Sequence, residues 1–154
     1  MPNDSILDMI GAWEEQSTAE LVVDLPIPTW GTGGHPPAWL RVRPVDHTFM
    51  DRQRKRIEKA KGPAVALVEV EANAAIIAAA VVEFVVGEPG DSQAVFGLDN
   101  PALLAKLKLP EDAGNAAVVK KLLKTDGAVF AMSSAVVRHS GYAEEIAAEA
   151  VSGN

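Results

Sequence analysis

The sequence predicts a mostly α fold: a small helical domain with one N-terminal two-stranded antiparallel β-hairpin. Three observations predict it. Two runs near the N-terminus alternate apolar and polar residues, and proline stops each of them. From residue 46 onward, apolar residues recur at the three-to-four spacing of helices, between Gly and Pro breaks. The chain has 154 residues, 48% of them hydrophobic and 23% charged, which fits one domain with its own core. Residues 1–154 therefore read as a single domain, with a helix over 5–16, the β-hairpin over 20–43 and a helical part over 46–151.

In the first helix Ile6, Met9, Ile10 and Trp13 fall at helical spacing, with Asp4 or Ser5 as its cap. The period then changes to two. Leu21, Val23, Leu25 and Ile27 alternate with Glu20, Val22 and Asp24, and Pro26 and Pro28 end the strand. The Gly31-Thr32-Gly33-Gly34-His35-Pro36-Pro37 segment is a loop, and Trp39-Leu40-Arg41-Val42-Arg43 is the second strand, stopped by Pro44. Pairing Asp24 with Arg41 also pairs Leu25 with Leu40 and Val23 with Val42. That register makes one face aliphatic and puts opposite charges together on the other.

Asp46 or Thr48 caps a helix reaching about residue 61, where Gly62-Pro63 breaks it. A long helix is expected over 64–86, ending in Gly87-Glu88-Pro89-Gly90. Asn100 before Pro101 marks an N-cap followed by proline at the first helical position, so 102–107 is a short helix. Val118, Val119, Leu122 and Leu123 mark another. Val129, Met132 and Val136 stripe the next, which Gly141 terminates, and 143–151 forms a last helix anchored by Ile146 and Val151.

Composition excludes several function classes. With no cysteine, a disulfide scaffold, a thiolate metal site and thiol catalysis are ruled out. No basic residue precedes Arg41, so the N-terminus lacks the charged region of a secretory signal. The uncharged run 72–82 is too short to span a bilayer, which needs about 20 apolar residues, and no membrane association is expected. His35, His47 and His139 lack metal-ligand spacing. The glycine loop leads into a strand rather than a helix, unlike a phosphate cradle. Glu69 and Glu83 would stand about 21 Å apart on a straight helix, too far to serve one reacting centre. Ser133, Ser134 and Ser140 lack a nucleophile context. The reading is a non-enzyme without metal or cofactor.

Two features point to protein partners. Residues 41–61 hold eight basic side chains against three acids, a local +5 within a chain of net charge −7, which leaves −12 elsewhere. Arg52, Arg54 and Arg56 are therefore expected to meet the acidic surface of a neighbouring copy rather than nucleic acid, for which the stretch offers no aromatic platform. The 64–86 segment is apolar around nearly its whole circumference, so it needs cover on several sides, either from its own monomer or from another chain. Val65, Val68, Ile76, Ile77 and Phe84 are the candidate partner-binding residues there, and weak self-association is expected.

The order of these features resembles the tail assembly chaperones of long-tailed (siphovirus-type) phages of actinobacteria. The resemblance rests on Leu21-Val22-Val23-Asp24-Leu25-Pro26-Ile27-Pro28, the Gly-rich tip, and Leu40-Arg41-Val42-Arg43-Pro44-Val45, then a charged helix, Lys124-Thr125-Asp126-Gly127 and His139-Ser140-Gly141-Tyr142. It covers roughly residues 20 to 150, and His139 stands where many members carry Trp. The resemblance implies a non-catalytic protein of the host cell cytoplasm that binds and solubilises the tape-measure protein. It also implies contacts with tail-tube subunits and a frameshifted longer form of the same chain. The alternative is a structural minor tail or head–tail connector subunit of the virion.

Overall fold

The structure, a computed structural model, describes residues 2–17, 20–28 and 30–142. Helix α1 spans Pro2–Glu15, and strands β1, Val23–Pro26, and β2, Ala38–Val42, follow it. Helices α2, His47–Lys59, and α3, Ala64–Ala80, lead into β3, Val81–Val86, and β4, Ala94–Phe96. Helices α4, Pro101–Lys106, α5, Asn115–Leu123, and α6, Asp126–His139, complete the described chain. The sequence-predicted helix over 143–151 lies outside the described residues.

The strands form one antiparallel sheet in the order β1-β2-β3-β4. Among the described residues the fold is therefore an α+β mixture with four strands, and the expectation of a mostly α domain with a lone two-stranded hairpin is overturned. The difference arises within 64–86, where the expected single helix stops at Ala80. Up to that point the segment is rich in Ala, which packs closely and favours helix. Beyond it stands Val81-Val82-Glu83-Phe84-Val85-Val86, a β-branched and aromatic run whose side chains suit a pleated surface. The switch needs no Gly or Pro. Val81 takes an extended conformation while its N–H still bonds the Ile77 carbonyl, and the Ala80 carbonyl accepts from Arg43 N at 2.9 Å.

The hairpin register is the expected one: Val23 opposite Val42, Asp24 opposite Arg41 and Leu25 opposite Leu40. β3 then extends each row, placing Phe84 opposite Leu40 and Phe96 opposite Phe84. The inner row Leu25, Leu40, Phe84, Phe96 faces the helices, and Trp30 meets Phe84 edge-on at 5.5 Å between ring centroids. On the outer face Arg41 binds Asp24 through two nitrogens, at 2.8 and 3.2 Å, and Glu83 at 2.9 Å. These carboxylates, Asp24 foremost, raise the Arg41 pKa above its usual value. Such part-exposed pairs contribute about 0–1 kcal/mol each, so the ladder fixes register more than it adds stability.

Helix α3 is the hub of the helical layer and packs against α2, α5 and α6. No residue from 68 to 81 is exposed, and Ala72, Ala74, Ile77 and Ala80 are wholly buried. Over that span the apolar circumference is covered by the chain itself. Two caps read from sequence are in place: Asp46 accepts from Thr48 N at 2.7 Å, and Asn100 accepts from Ala102 N at 2.9 Å ahead of Pro101. The third is not, because α1 begins at Pro2, whose fixed φ suits a first turn, and so Asp4 and Ser5 lie inside the helix rather than at its cap.

The end of α6 clasps the lead-ins to β1 and α2. Gly141, at φ 89°, is the left-handed residue of a Schellman stop, with Gly141 N bonding Arg138 O and Tyr142 N bonding Val137 O. The ring Nε2 of His139 lies 2.8 Å from Leu21 O. Ser140 Oγ accepts from Val45 N and donates to Val136 O, each at 2.8 Å. The Tyr142 hydroxyl reaches Val45 O at 3.4 Å, and its ring stacks on His47.

Two outcomes test this arrangement. In urea denaturation, Ile77→Ala is expected to cost about 2–5 kcal/mol, while Leu67→Ala, at a side chain 61% exposed, stays within about 0.5 kcal/mol. A cost for Ile77→Ala near that of Leu67→Ala would contradict the central position of α3. Burial, with a smaller contribution from Asp46, raises the Tyr142 pKa above its ordinary value. Because ionisation is disfavoured in the folded chain, this contribution is full below about pH 10 and is lost as pH rises through the folded pKa. Tyr142 is the sole tyrosine, so an absorbance titration near 295 nm reads it directly. A folded-state midpoint at or below that of the urea-unfolded chain would contradict the clasp.

Candidate partner-binding surfaces

The structure separates the residues that the sequence proposed as partner-binding. Ile76, Ile77 and Phe84 are 4%, 0% and 2% exposed. They are core, and Phe84 sits on a strand rather than on the long helix expected there, so these three offer no surface to a partner in the folded chain. Val65 and Val68 are half-buried near the start of α3 beside exposed Leu67. Arg52 and Arg56 are exposed on α2. Arg54 is half-buried and already engaged.

The largest exposed apolar side chains lie elsewhere. Ile6, Leu7, Met9, Ile10 and Trp13 of α1 are 54–69% exposed, and every residue from 4 to 17 is exposed. Helical geometry puts Ile6, Met9, Ile10 and Trp13 within about 100° of arc, with Leu7 at the flank. Asp4, Asp8 and Glu15 lie on the opposite side. The helix is thus an amphipathic element whose apolar face meets no core of its own. Covering a side chain of this kind fully is worth roughly 1.5–3 kcal/mol, so four of them provide a large incentive to associate. Helical spacing in the sequence puts Ile6, Met9, Ile10 and Trp13 on a helix but names no partner for them. The available signal is that this stripe ends before the hairpin, in a stretch whose only charges are acidic.

On α2, Met50 and Gln53 are buried, and the exposed side carries Arg52, Lys55, Arg56 and Lys59. Their spacing of i, i+3, i+4 and i+7 sets four cations in one stripe. With Gln53 they line an open groove of ≈ 390 Å³. Lys55 pairs with Asp51 at 3.0 Å, and its ammonium holds the Asp51 carboxyl below the usual range. The Arg52 guanidinium lies 6.0 Å from the centroid of the Phe49 ring, and Arg56 donates to Gln53 Oε1 at 3.3 Å. Among the described residues, Arg52, Arg56 and Lys59 meet no carboxylate.

The remaining candidates do not converge. His35 lies in the loop between β1 and β2, His47 under Tyr142, and His139 against Leu21 O. Among the described residues no three His, Asp or Glu side chains are placed to hold a metal ion, and no helix is long and apolar enough to cross a membrane. Compared with protein families, curated proteins and solved structures, the chain finds no match.

Since Ile10 and Trp13 are exposed on α1, replacing both by Ala should change folding stability by under about 0.5 kcal/mol. Chemical denaturation checks this, and a loss of several kcal/mol would mean that α1 belongs to the core.

Proposed function

We propose that the chain is a non-catalytic tail assembly chaperone of a long-tailed phage, which binds apolar segments of the tape-measure protein in the host cytoplasm and keeps them soluble. The observation that carries this reading is the α1 face of Ile6, Met9, Ile10 and Trp13, held out of the core on an acidic helix. An apolar stripe recognises apolar client helices without reading a sequence, and a net charge of −7 keeps the loaded complex dispersed. The clasp adds support. Two separated segments of the resemblance, Arg41-Val42-Arg43-Pro44-Val45 and His139-Ser140-Gly141-Tyr142, meet in space through Val45. The resemblance extends the partner set to tail-tube subunits and a frameshifted longer form.

Co-expression with the tape-measure protein tests the reading. The wild-type chain should hold that protein in the soluble fraction, and the Ile10→Asp/Trp13→Asp variant should lose most of this effect while keeping its own circular dichroism and melting temperature. Equal solubilisation by the variant, or stoichiometric retention of the chain in purified virions, would overturn it. The latter result would favour the connector alternative.

A further inference from the structure

We propose that the acidic face of α1 docks on the cation stripe of α2 in a second copy of the chain, leaving the apolar face of α1 turned outward. The inference rests on the preceding reading only for its purpose, since the docking itself involves two copies and no client.

The geometry on each side is specific. Asp4, Asp8 and Glu15 lie within about 40° of one another around α1, directly across the helix from the apolar stripe. A partner that takes this acidic face therefore does not compete with one that takes the apolar face. On α2, Arg52, Lys55, Arg56 and Lys59 line one open groove, with buried Gln53 bonded to Arg56 at its edge. The rise from Asp4 to Asp8 is about 6 Å, as is that from Arg52 to Arg56 or from Lys55 to Lys59, so two helices laid together align charge with charge.

The occupant is a second copy for two reasons. Residues 4–17 are exposed throughout, so α1 does not lie on the α2 of its own chain. The chain also concentrates opposite charge on these two elements: the first 40 residues contain no Lys or Arg, while 52–59 hold five cations against one acid. A duplex or single-stranded nucleic acid would meet the same four cations, but the attached α1 helix and the net −7 charge oppose its approach. At ~0.1 M salt the screening length is about 10 Å, which mutes repulsion between two acidic chains while leaving contact pairs in force. Head-to-tail contact of this kind repeats from copy to copy. It sets several apolar helices side by side, and the effective concentration that results strengthens the grip on a long client.

Sedimentation equilibrium of the full chain tests the docking with no tape-measure protein present, so its failure is separate from failure of the client reading. Self-association is expected at 0.1 M salt and should weaken at least about tenfold by 0.5 M. Asp4→Lys/Asp8→Lys/Glu15→Lys in one variant, and Arg52→Glu/Arg56→Glu/Lys59→Glu in another, should each abolish it. Mixing the two variants should restore association, because each then offers the complement of the other. Monomers under all these conditions would overturn the proposal. So would self-association unchanged by either variant, or α2 charges that matter only for retention of a heparin or duplex DNA probe.

Discussion

Everything in this fold answers to one constraint: the segment 64–86 is apolar around most of its circumference, and its middle, residues 68–81, is covered on all sides. A helix that long would present more circumference than the neighbouring elements span. The chain divides it instead. Its first part becomes α3, enclosed by α2, α5 and α6, and its second becomes β3, enclosed within a sheet between β2 and β4. The two halves make different demands, since a buried helix needs close neighbours around it while a strand needs two edge partners and one packed face. Placing the switch at Ala80–Val81 meets both, and it draws the hairpin, the caps and the clasp into positions around one spine.

Because the spine is satisfied internally, the surface left for partners is peripheral. α1 stands outside the core with its large apolar side chains exposed, and α2 gives one face to α3 and the other to solvent as a row of cations. The residues that hold the core and those proposed to meet partners are therefore different. Ile77 and Phe84 can be selected for packing alone, while Ile10, Trp13, Arg52 and Lys59 are free to serve contacts without cost to the fold. On the proposed reading, a single α1 helix would bind an apolar client weakly once the association cost of about 4–15 kcal/mol is counted, and copies arrayed together would offset that cost.

Much of this was legible in the sequence where local chemistry decides structure. Asp24 opposite Arg41 fixed the hairpin register, because a shift by one residue would exchange the aliphatic and charged faces. Asp46 and Asn100-Pro101 marked helix starts because cap chemistry is local. The switch at Ala80–Val81 was not legible from periodicity: a run that is apolar at every position has the same pattern as a buried helix and as a buried strand. Composition held the missing signal, in the change from Ala to Val and Phe. The three-residue strand β4 is shorter than any pattern, and its pairing depends on β3 being present. The candidate site shares the error: Ile76, Ile77 and Phe84 read as partner-binding because the apolar circumference asks for cover beyond one chain, whereas the chain's own helices and sheet bury all three.

Hydrogen–deuterium exchange of the full chain, alone and with the tape-measure protein, tests most directly the claim that the spine serves the fold and α1 serves the partner. The account predicts that amides of α3 and β3 are the slowest to exchange and unchanged by the client, while amides of α1 exchange rapidly in the free chain and become protected when the client binds. Protection gained by α3 or β3 with α1 unaffected would contradict it, since the spine itself would then be the client-binding surface.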